Sequence, residues 1–136
     1  MERDTHSDEQ IQEILSMKDV AVVGMSSDPE KASHRVSKYL MSNGYNIIPV
    51  NPSSSEILGQ KCYSSLDEIS SSIDIVEVFV ASENVLPVVR QAIDKNPKVI
   101  WFQLGIYNPE AEELAQENGI DVVFNRCMFA EHSRLC

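Results

Sequence analysis

The sequence predicts an α/β domain: a Rossmann-like, doubly wound, five-stranded parallel sheet with helices on both faces. Three observations carry this expectation. Five short apolar runs recur at regular intervals, they are rich in β-branched residues, and segments of helical periodicity separate them. Strands with one wet face alternate apolar with polar residues. These mostly do not, so both faces are expected to be covered, as in a parallel sheet. Strand–helix alternation then implies right-handed crossovers.

The elements follow in order. An extra helix at about residues 8–17 precedes the first strand, residues 20–23. Residues 33–43 carry Val36, Tyr39 and Leu40 at helical spacing, with Gly44 as C-cap. The second strand is residues 47–50. Ser65-Leu66-Asp67-Glu68 reads as a capping box opening one short turn of helix. The third strand is residues 75–80. A helix over residues 83–96 follows, with Ser82 as N-cap and Pro87 tolerated near its start. The fourth strand is residues 99–102. Asn108-Pro109-Glu110 opens the next helix with a cap, a proline and an acid, and Gly119 ends it. Residues 122–124 form the fifth strand, and a tail follows. The clusters Ser53-Ser54-Ser55 and Ser70-Ser71-Ser72 read as loop.

Composition bounds the function. Residues 1–136 suffice for one self-contained domain. Apolar residues are 43% and charged residues 24%, which excludes a disordered chain or a disulfide-dense mini-protein. No apolar run approaches the roughly 20 residues that cross a bilayer. Residues 1–16 lack the apolar stretch of a signal peptide. Cys62, Cys127 and Cys136 are odd in number and widely spaced, which suits a reduced compartment, so a cytoplasmic location is expected. Eleven basic against 21 acidic residues give a formal charge of −10. Such a chain repels a phosphate backbone, so no nucleic-acid partner is expected, and no membrane. An anionic ligand would need local donors.

In doubly wound sheets ligands bind outside the carboxyl ends of the strands, where strand order reverses. That selects the loops beginning at Gly24, Asn51, Ala81, Gln103 and Asn125. In the first, Gly24-Met25-Ser26-Ser27, one glycine lets the backbone approach a phosphate, serines supply hydroxyls, and the following helix offers free N–H groups. The three-glycine dinucleotide fingerprint is absent, and a plain strand-to-helix turn stays an equal alternative. Lys31, Arg35 and Lys38 form the densest basic cluster. Their place beside the loop favours ligand contact for Lys31 and Arg35, and a solvated face for Lys38. NAD-binding folds end the second strand on an acid that bonds the ribose. Here that position reads Val50-Asn51-Pro52, which suits a phosphorylated ribose, as in NADP or coenzyme A, or a simple turn. Val80, Ala81, Gln103, Leu104, Gly105, Asn125, Arg126 and Cys127 would wall a pocket that reads its ligand by shape and hydrogen bonds.

The ordered set Val20-Ala21-Val22-Val23-Gly24-Met25-Ser26, Arg35-Val36 with Tyr39-Leu40, Ile48-Pro49-Val50-Asn51-Pro52, Ile57-Leu58-Gly59, Cys62-Tyr63, Asp74-Ile75-Val76, Trp101-Phe102-Gln103-Leu104-Gly105 and Arg126-Cys127 resembles the stand-alone CoA-binding protein family. These are relatives of the CoA-binding domain of the succinyl-CoA ligase α subunit. The resemblance implies coenzyme A, or an acyl-CoA, as ligand. Its pyrophosphate would lie on the Gly24 to Ser27 loop and the next helix N-terminus, where Ser33 also sits. Adenosine would meet Val50, Asn51, Pro52, Lys31 and Arg35. Pantetheine would pass Val80, Ala81 and Gln103 to Gly105 toward Asn125, Arg126 and Cys127.

Catalytic groups are sparse. Cys127 reads first as a small buried residue, Glu131-His132 as a tail capping the sheet, and His34 as a helix-face residue or phosphate donor. In the ligase the catalytic histidine lies in a further domain. The expectation is therefore a CoA-binding sensor, carrier or partner protein, with enzymatic activity leaning to no. An NADP-binding oxidoreductase module and a ligand-free regulatory partner stay as alternatives.

Overall fold

The computed structural model describes residues 3–136. Its elements are α1 (Asp8–Leu15), β1 (Asp19–Val23), α2 (Ala32–Ser42), β2 (Asn46–Val50), β3 (Glu56–Ile57), β4 (Gln60–Lys61), β5 (Ile75–Val78), α3 (Val85–Lys95), β6 (Val99–Phe102), α4 (Pro109–Glu117), β7 (Asp121–Val123) and α5 (Met128–Leu135). Five strands make one parallel sheet in the order β2-β1-β5-β6-β7. The order reverses between β1 and β5. The expected α/β architecture is therefore the observed one, with a small antiparallel hairpin, β3–β4, added beside it.

Chirality assigns the helices to faces. Right-handed crossovers that run one way across a sheet lie on one face, and those that run back lie on the other. Only α2 belongs to the first direction. The return from β2 to β5, then α3 and α4, share the opposite face. There Val85, Val89, Ala92, Ala111 and Ala115 pack on Ala21, Val23, Val76, Val78, Ile100 and Phe102. One helix cannot cover the α2 face of five strands. The ends of the chain complete it: Ile11, Ile14 and Leu15 of α1 and Met128 of α5 pack with Val36 and Leu40 on Val20, Val22, Ile75 and Trp101. The two sets alternate along every strand, as the period of two requires.

Several local expectations shift. The run at residues 75–80 leaves the sheet after Val78, so Phe79 and Val80 belong to the loop. Ser82 does not cap α3. A 3-10 turn, Ser82–Asn84, intervenes, and the Ser82 hydroxyl oxygen accepts the Tyr107 N–H at 3.1 Å. Ser65 forms no side-chain cap either; the Glu68 carboxylate accepts the Ser64 N–H at 2.8 Å and hydroxyl at 2.7 Å. Asn108 does cap α4, accepting the Ala111 N–H at 3.0 Å. The tail is the helix α5. No helix among the described residues is long and apolar enough to cross a membrane.

Candidate functional site

Five loops leave the carboxyl edge of the sheet, and each is stitched to its neighbour. The Gly24 N–H donates to the Val50 carbonyl at 2.9 Å, and the Asn51 side-chain amide donates to the Met25 carbonyl at 2.8 Å. The Phe79 N–H donates to the Val23 carbonyl at 2.9 Å, and the Gln103 N–H to the Val78 carbonyl at 3.3 Å. The Asn125 carboxamide oxygen accepts the Gly105 N–H at 2.7 Å. The row spans the point where strand order reverses.

Gly24 sits at that point with φ +84°. A Cβ there would stand 3.2 Å from Val80 Cγ1 and 3.3 Å from the Phe79 carbonyl carbon and oxygen. The position therefore needs glycine twice, for its torsion and for the close approach of the β5 loop. Beyond it opens a groove of about 260 Å³ lined by Gly24, Ser26, Lys31, Ala32, Ser33 and Phe79. The Ser33 hydroxyl oxygen accepts the Ser26 N–H at 2.9 Å and so fixes the loop against α2. Asp28 orders the turn, its carboxylate accepting the Glu30 N–H at 2.9 Å. No side chain caps the N-terminus of α2, and no acid lies in its first turn. Positive helix-end potential therefore faces the groove, with the nearest acids, Asp28 and Glu30, in the turn before the helix rather than in its first turn. Neither Lys31 nor Arg35 forms an ion pair among the described residues; the Arg35 guanidinium donates to the Glu30 carbonyl.

The sequence-predicted residues divide clearly. Gly24, Ser26, Lys31 and Ser33 line one groove, with Ser27 and Pro52 exposed on adjoining loops. Met25 and Val50 are buried, so only their backbone faces this region. Val80 packs against Gly24, and Ala81, Leu104 and Gly105 are exposed along the rim. Gln103 is buried, its side chain donating to Glu77. Cys127 is half-buried just before α5. Arg126 is turned elsewhere: it pairs with Asp4 at 2.9 Å and Glu131 at 3.6 Å, and donates to the His6 carbonyl at 3.0 Å.

Glu131 also pairs with Arg134 at 2.6 Å, not with His132. His132 is buried, with Nδ1 2.8 Å from the Tyr39 hydroxyl, and burial holds its pKa below the usual histidine value. The groove residues the sequence reading missed are Phe79 and Ala32. Phe79 sat inside an apparent strand, and Ala32 carried no chemical signal.

A second, larger cavity of about 440 Å³ lies along β7, lined by Arg3, Asp4, His6, Glu112, Gln116 and Asp121 among others. It belongs to an N-terminal clasp. Burial pushes the Asp4 carboxyl up, but hydrogen bonds from His6 and Phe124 bring it down to about 2. Both His6 ring nitrogens face carboxylates, Asp121 at 2.9 Å and Asp4 at 2.9 Å, which requires the imidazolium. Those bonds outweigh burial and raise its pKa from 6.5 to about 9. The stability His6 contributes is thus fully present below about pH 6.5 and lost as pH rises through about 9. With solvent screening, the expected loss is about 1–2 kcal/mol. Urea unfolding of wild type and His6→Ala from pH 6 to 10 should show the two converging at high pH. A constant gap would mean that the pair contributes no titrating energy.

The family model described as a CoA binding domain matches residues 18–133. The chain belongs to this CoA-binding domain family. YneT of Bacillus subtilis is 43% identical over 125 residues, 91% of this chain and 93% of its own length. The solved structure of a hypothetical protein from Pyrococcus horikoshii superposes with TM-score 0.94 at 45% identity, covering 99% of both chains. The ADP-forming acetate–CoA ligase of Methanocaldococcus jannaschii is 29% identical over 129 residues, 89% of this chain but 18% of the ligase. The CoA-binding family match spans β1 to α5 and includes every loop of the edge just described.

Proposed function

We propose that this protein binds coenzyme A or an acyl-CoA at the carboxyl edge of the sheet and acts as a sensor, carrier or partner subunit. The observation that carries the reading is the uncapped N-terminus of α2 beside Gly24, with Lys31 and Arg35 free of carboxylates in a chain of charge −10. A phosphorylated ligand would meet the free N–H groups and cations of this helix end. The groove fits the pyrophosphate, held by backbone N–H groups of the Gly24 loop and of Ala32 and Ser33. Lys31 and Arg35 lie on the adenosine side with Asn51 and Pro52. Pantetheine runs along Val80, Ala81 and Gln103 to Gly105, toward Asn125 and Cys127. Arg126 stands outside this path, its side chain paired with Asp4 and its carbonyl accepting the Trp101 indole N–H at 2.8 Å.

The test is a calorimetric titration with CoA, acetyl-CoA, NADP and NAD in one buffer. CoA should bind in preference to both dinucleotides. Lys31→Ala and Arg35→Ala should each weaken it about three- to tenfold, less so at high salt. Preference for NADP would replace the reading with that of an oxidoreductase module. Binding of none of the four would overturn it in favour of a ligand-free partner.

A further inference from the structure

Glu77 is the anomaly of this sheet. It lies in β5 beside Val22 of β1 and Trp101 of β6, fully buried. Its strand neighbours are Ile75, Val76 and Val78. An apolar side chain would fill the position without any desolvation cost. The carboxyl instead accepts one hydrogen bond, from the Gln103 side-chain amide, and leaves its Oε1 buried without a partner. Burial raises its pKa from 4.5 to about 8, only partly opposed by the Gln103 bond, and so favours the protonated carboxyl at neutral pH.

The partner is what gives the position meaning. Gln103 stands at the carboxyl end of β6, just before the exposed Leu104 and Gly105, and its backbone is tied to Val78 of β5. Two residues after Glu77 comes Phe79, a wall of the groove. Among the described residues the Gln103 amide oxygen accepts no hydrogen bond. One end of that amide is therefore anchored on Glu77, and the other has no partner among the described residues.

We infer that Glu77 is a positioning residue for the ligand: it anchors the Gln103 amide so that its carbonyl oxygen accepts an N–H of the bound pantetheine arm. This rests on the CoA reading given above. It goes beyond it by assigning a role to a residue that touches no ligand. The buried hydrogen bond between Glu77 and Gln103 fixes the Gln103 amide in one orientation where an apolar residue at position 77 would not, and ligand binding would supply that amide oxygen with a donor.

Three proteins and two ligands test it. Wild type, Glu77→Leu and Glu77→Gln are titrated with CoA and with adenosine 3′,5′-diphosphate, which has no pantetheine. Glu77→Leu should weaken CoA about tenfold while binding the diphosphate as wild type does. Glu77→Gln, which still accepts from Gln103, should restore CoA affinity to within about threefold. Equal CoA affinity in all three overturns the inference and leaves the CoA reading standing. Equal loss of both ligands also overturns it, since that is a general structural effect. Failure of wild type to bind CoA overturns both. Should Glu77→Leu not fold, wild type decides: the Gln103 side-chain amide NMR signals should shift on saturation with CoA and not with the diphosphate. Unmoved signals overturn the inference.

Discussion

Replacing Glu77 by glutamine is expected to stabilise the protein strongly above neutral pH and hardly at all near pH 4. The reasoning is linkage. In the unfolded chain the carboxyl loses its proton near the ordinary value of 4.5, whereas in the folded sheet desolvation holds the proton to about pH 8. Between those values the folded state binds more protons than the unfolded state, so wild-type stability falls as pH rises. A pKa raised in the folded state gives stability that is fully present below the unfolded value and gone above the folded one. At about 1.4 kcal/mol per pH unit the cumulative cost by pH 7 is on the order of 3 kcal/mol. Glutamine has nearly the same shape, accepts the same bond from Gln103 and cannot ionise. Urea midpoints for the two proteins at pH 4, 6, 7 and 8.5 should diverge steadily and then level off. A gap independent of pH would mean that Glu77 is ionised in the folded protein. This effect runs opposite in substitution to the clasp at His6, whose removal destabilises, so the two contributions separate cleanly.

The legibility of this chain follows the range of the forces involved. The five central strands could be read because burial on both faces writes a continuous apolar run. α4 could be read because Asn108, Pro109 and Gly119 are local signals with local causes. The hairpin β3–β4 escaped because its turn places Leu58 at φ 52° before Gly59, where asparagine or glycine is the usual signal. α5 escaped because it is short and exposes most of its surface, burying only Met128 and His132. The end of β5 was misplaced for a tertiary reason: Phe79 and Val80 are apolar because one walls the groove and the other packs on Gly24, not because they continue the strand. The loops of the carboxyl edge could be selected from the strand–helix alternation alone. The direction of Arg126 could not, since it depends on Asp4, more than a hundred residues away in sequence. Glu77 was visible as one acid in a buried run, but its partner Gln103 is 26 residues distant.

Gly24→Ala should be the most damaging small substitution at the binding edge, costing about 2–3 kcal/mol of stability and at least about tenfold in CoA affinity. Two costs combine. The backbone at φ +84° strains any residue with a Cβ by roughly 1 kcal/mol or more. The new methyl would also press on Val80 Cγ1 and on the Phe79 carbonyl group. A side chain can rotate away, but the carbonyl is backbone at the exit of β5 and moves only with its loop. That loop carries Phe79, so relief of the contact opens the groove. Gly119→Ala supplies the control. It shares the strained torsion at φ +76°, yet nothing lies within 4 Å of its Cβ position. It should lose about 1 kcal/mol and bind CoA as wild type does. Parallel urea unfolding and CoA titration of the two variants isolate the close approach from the torsion. Equal destabilisation with unchanged binding in both would mean that the junction of the β1 and β5 loops yields freely and does not shape the groove. The larger loss at Gly24 alone would establish that the close approach of Gly24 to the β5 loop sets one wall of the groove.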